Sequence, residues 1–152
     1  MFAGAGARAA AGGRAATVPV VPAPLFRFVC VPAALQGAPA GWAVEMLHDG
    51  HVALLPDAGG LDGVSGVAHA LGTETASVLR TEATPALQDQ TVMAHAGSLP
   101  LVWLAPAFSA PVRTWARDRG PMTLLVEVEG PLPDETRRVV ERFIASLGRQ
   151  AE

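Results

Sequence analysis

Lysine, asparagine and tyrosine are absent from this chain, and isoleucine occurs once, at Ile144. Without lysine there is no Schiff-base or pyridoxal chemistry and no Gly-Lys-Ser/Thr phosphate loop. All eleven basic residues are arginine, the bias of a GC-rich bacterial coding sequence, so Arg in place of Lys carries no chemical choice here. The single cysteine, Cys30, cannot close an intramolecular disulfide and sits in the apolar run Phe28-Val29-Cys30-Val31, where a small buried hydrophobe is expected. No uninterrupted apolar run approaches the roughly 18 residues of a membrane span. No acid precedes Glu45, and the net charge of −3 argues against a phosphate-neutralising surface. These absences predict a cytoplasmic protein with no membrane and no nucleic-acid partner.

What is present is half apolar, rich in Ala, Gly, Val, Leu and Pro, and only 16% charged. At 152 residues one domain with its own core is expected. Residues 1–24 predict a tail, disordered over 1–17 and stiffened by prolines over 17–24, leaving a single domain over 25–148.

Residues 25–31 read as a first strand whose apolar set is Phe26, Phe28 and Cys30. Two apolar runs, 42–48 and 51–55, flank Asp49-Gly50, which predicts a two-residue hairpin with His48 opposite His51. Val67 to Leu71 suggests a short helix, and 76–82 leans to strand. Further hairpins are expected from 91–96 with 99–105, and from 112–117 with 122–129; in the last run Met122, Leu124, Val126 and Val128 alternate with a more polar set. Residues 131–148 form the clearest helix, with Asp134 and Glu135 in its first turn and Gly148 placed as a stop. Its apolar stripe centres on Phe143, and its arginines, Arg137 among them, form the wet face. The fold class expected is therefore α+β: a mainly antiparallel sheet built from hairpins, with a short middle helix and the amphipathic C-terminal helix packed on one face.

Candidate chemistry is sparse. His48 and His51, opposed across a turn, would sit about 5.5 Å apart, but zinc needs three or four ligands, so no metal is expected. His95 stands alone in an apolar run, and no serine among Ser65, Ser77, Ser98 and Ser109 occupies a Gly-x-Ser-x-Gly elbow. Gly59-Gly60 is not a dinucleotide loop. No cofactor is expected. The most credible patch is Arg113, Trp115 and Arg117, whose period of two would put them on one strand face able to stack on a flat group or grip an anion. The function expected is a non-enzymatic binding or accessory domain acting through a sheet face or edge, its partner a protein or a small molecule. The alternative is a small-ligand pocket protein, or a small enzyme, with its pocket between curved sheet and C-terminal helix.

Overall fold

The computed structural model describes residues 23–57 and 59–151. The expected tail, 1–24, lies almost wholly outside the described residues. Strands β1 (Phe26–Cys30), β2 (Gly50–Leu54), β3 (Ser77–Val78), β4 (Leu101–Ala105) and β5 (Thr123–Glu127) alternate with helices α1 (Trp42–Leu47), α2 (Gly60–Ala70), α3 (Pro85–Ala96) and α4 (Ala110–Arg119), and α5 (Asp134–Ala151) closes the chain. The strands form one sheet in the order β3-β2-β1-β4-β5, and every neighbouring pair is parallel. This is an α/β fold, and it overturns the antiparallel, hairpin-built α+β sheet expected from the sequence.

The physical reason lies in β1. Phe26, Phe28 and Cys30 are buried on one face, as expected, but Val29 is buried on the other. A strand covered on both faces belongs to a parallel sheet, whose crossover helices pack on each side. Phe26, Phe28, Cys30, Val52, Leu54, Val102, Leu104 and Val126 meet α1, α2 and α5. Val29, Ala53, Leu101 and Trp103 meet α3 and α4. The sheet is thus the middle of three layers.

Each expected hairpin resolves into a strand joined to a helix. The run 42–48 is α1, entered from Gly41 at φ 82°. Gly50 is the first residue of β2 and takes no left-handed φ. Its lack of a side chain serves a different purpose: a Cβ there would stand 2.3 Å from the Phe26 ring. The run 91–96 lies in α3, where Thr84 accepts a hydrogen bond from Leu87 N at 3.2 Å and Pro85 takes the first turn. Residues 112–117 lie in α4, capped by Ser109, which accepts from Val112 N at 3.4 Å. The middle helix α2 is longer than expected, β3 shorter, and α5 runs through Gly148 rather than stopping there. On α5, Val140 and Leu147 are buried while Phe143 is half-buried; Arg137 is largely buried, donating to Leu132 O at 3.1 Å and pairing with Asp134, so it leaves the wet face.

Candidate functional site

In doubly wound sheets ligands usually lie beyond the carboxyl ends of the strands, where strand order reverses, which here is between β1 and β4. Next to that point the chain satisfies itself. Asp57, just past β2, accepts hydrogen bonds from Ala33 N at 3.1 Å and Gly59 N at 2.9 Å. Its carboxylate therefore fills the place an anion would take at the start of α2. A Cβ on Gly63 would lie 3.2 Å from Pro32 Cβ, so the β1 turn is packed hard against α2. Beneath it, burial and the Asp57 charge push the Cys30 thiol up to about 12, which leaves it inert. A second polar group, Arg80, Glu82, Gln88 and Thr91, is likewise closed on itself, with Glu82 accepting from Arg80 at 2.8 Å and Thr91 at 2.6 Å.

The opposite, amino end of the strands differs. Parallel register sets Arg27 of β1 beside His51 of β2 on the face that meets α3 and α4. His95, in the last turn of α3, comes down onto the same place, its ring centroid 5.5 Å from that of His51. Ser77 of the edge strand β3 lies 3.2 Å from His51 Nε2. Among the described residues, Arg27 Nε, His51 Nδ1 and His95 Nε2 are shielded from solvent yet have no hydrogen-bond partner, and Arg27 has no carboxylate partner. Each such unmet group costs about 1–3 kcal/mol. Trp103 Nε1, on the same face, shares this condition. Of the four residues, His51 and Ser77 line a cavity of about 330 Å³ with Thr73 and Thr75, and His51 lines another of about 370 Å³ with Pro24, Leu25 and Asp49; Arg27 and His95 line neither.

The electrostatics are one-sided. His51 titrates below its ordinary 6.5, first through burial and then through the positive charge of Arg27. His95 is lowered by burial, by Arg27 and by His51 in turn. Because the unfolded chain binds these protons more readily, stability is fullest above 6.5 and falls as pH drops below it toward the lower folded values.

The residues singled out from sequence are dispersed. Arg113, Trp115 and Arg117 lie on α4 rather than on a strand, so the shared strand face does not exist. Two residues along a helix turn roughly 200°, which separates Trp115 from the arginines on either side of it. Trp115 is half-buried against Val112 and its neighbours, and its cation is Arg119, 4.7 Å from the ring centroid. Arg113 pairs with Glu127 and donates from Nε to Phe108 O at 3.2 Å; Arg117 is exposed. His48 and His51 do not oppose each other: His48 follows α1 and pairs with Asp49 at 3.3 Å. His95, expected alone in a strand, joins His51 from a helix. Arg27 was the residue sequence reasoning passed over; the signal available was a charge inside an otherwise apolar strand.

Two imidazoles could share a metal, but Arg27 repels a cation, and no group of three His, Cys, Asp or Glu among the described residues could hold one. The Ser77–His51 contact has the spacing of a nucleophile and base, yet Nδ1 of His51 has no acid to orient it. No helix among the described residues is long and apolar enough to cross a membrane. No family model, no curated protein and no solved structure matches the chain.

Proposed function

We propose that the protein is a non-enzymatic binding domain that holds an anionic group at Arg27, His51, His95 and Ser77, on the edge of the sheet face under α3. The observation that carries this reading is Arg27: a half-buried guanidinium beside two imidazoles with no acid partner among the described residues. Proteins keep such uncompensated charge at sites where function requires it, at a cost in stability. His51 and Ser77 border open cavities, which puts that side of the cluster within reach of a ligand.

Thermal unfolding of wild type and Arg27→Met tests this. The methionine keeps an apolar stem and removes the charge. Without added anion the variant should melt a few degrees higher, since about 1 kcal/mol moves the midpoint of a domain this size by that much. A panel of small anions should raise the wild-type midpoint, and neutral analogues should not. The variant should lose the anion response. A wild type indifferent to every anion, or an equal response in the variant, contradicts the proposal.

A further inference from the structure

Resting on that reading, we infer that the group bound at Arg27, His51 and His95 is a phosphate monoester, a tetrahedral oxyanion with two charges, taken up together with a proton on the imidazole pair. The donors come from four elements: the Arg27 fork from β1, His51 from β2, Ser77 from β3 and His95 from α3. A set arriving from the sheet, from its edge and from the helix above suits oxygens that point in more than one plane. A carboxylate presents two oxygens in a single plane, whereas a phosphate monoester presents three at tetrahedral angles.

Charge leads to the same class. Arg27 alone balances a monoanion, and the neutral imidazoles would then each carry one donor and one acceptor. A dianion adds a second negative charge, which favours imidazolium and turns both ring nitrogens into donors. His51 Nδ1 and His95 Nε2, both without partners, are the atoms this protonation would employ. Of the charged groups nearby, Asp49 lines the larger cavity with His51 and lies 3.3 Å from His48. Arg119, from α4, is committed to the carbonyls of Gly97 and Leu99 and to Thr123 beyond the end of α3. The proton balance is simple: the free domain holds both rings neutral above 6.5, and the complex holds one more proton taken from the buffer.

Calorimetric titration of the full chain with three probes separates the outcomes. Sulfate keeps two charges across the whole range, so its pH dependence reports protons on the protein alone. Its dissociation constant should fall about tenfold or more between pH 8.0 and pH 6.0, and heats in two buffers of different ionisation enthalpy should show uptake of about one proton. Methyl phosphate should bind at pH 7.0, and acetate at least about tenfold more weakly than either. His95→Gln should flatten the pH slope while Arg27→Met removes binding. Acetate as tight as sulfate, a slope of zero, or sulfate binding without methyl phosphate overturns the inference and leaves the anion site standing. No binding of any of the three removes both.

Discussion

Phe28→Ala should lower the free energy of unfolding by about 3–5 kcal/mol, among the larger losses expected from a single truncation of a described residue. Phe28 is fully buried at the midpoint of β1, the middle strand of the sheet, with Val52 beside it on β2 and Val102 on β4. It belongs to the core cluster in which this face of the sheet meets α1, α2 and α5. Neighbouring strands cannot close over the gap, because their register is held by hydrogen bonds on both sides. Phe143→Ala, which the helical stripe alone would place at the centre of the core, should cost about 2 kcal/mol, since its ring is only half-buried. Urea titration of both variants decides the matter. Equal losses would mean that the sheet is not centred on β1.

Gly50→Ala should destabilise by about 3 kcal/mol, and for a reason that distinguishes this fold from a hairpin. The new Cβ would meet the Phe26 ring at 2.3 Å, and that ring is 1% exposed, so it has nowhere to turn. If the clash is the cause, Phe26→Leu should relieve it. The double variant should then lose less than the sum of the two single losses, by about 1–2 kcal/mol. In an Asp-Gly hairpin the penalty would come from left-handed backbone, and trimming Phe26 would relieve nothing. Simple additivity in the double-variant cycle therefore contradicts the parallel pairing of β1 with β2.

The contrast between these two residues shows what could be read from sequence. The runs that became β1, β4 and β5 were legible as strands, and α5 as a helix, because their apolar patterns are strong and their lengths suit one element. Pairing was not legible. A chain so rich in alanine, leucine and valine offers segments such as 42–48 and 91–96 in which helix and strand patterns both fit. There, capping chemistry held the better signal: Thr84-Pro85 and Ser109-Ala-Pro111 mark the starts of α3 and α4. Asp49-Gly50 misled because glycine answers two different needs, left-handed backbone and close approach, and only the second applies here. The candidate site was legible only in part. Arg27 was passed over, although a charge in an apolar strand was there to be noticed; its partners lie 24 and 68 residues away, and strand order is what joins them.

The central claim is that Arg27, His51 and His95 form one electropositive site awaiting an anion. Imidazole nitrogen NMR across pH 8 to 5 tests it most directly, because each of the four histidines reports separately. In anion-poor solution His51 and His95 should titrate below 6.5, depressed by burial and by Arg27. Added sulfate should move both upward, while the ring signals of His48 and His69, which lie outside the cluster, should not respond to it. Midpoints of His51 and His95 that ignore sulfate, or that lie at or above 6.5 without it, would contradict the account.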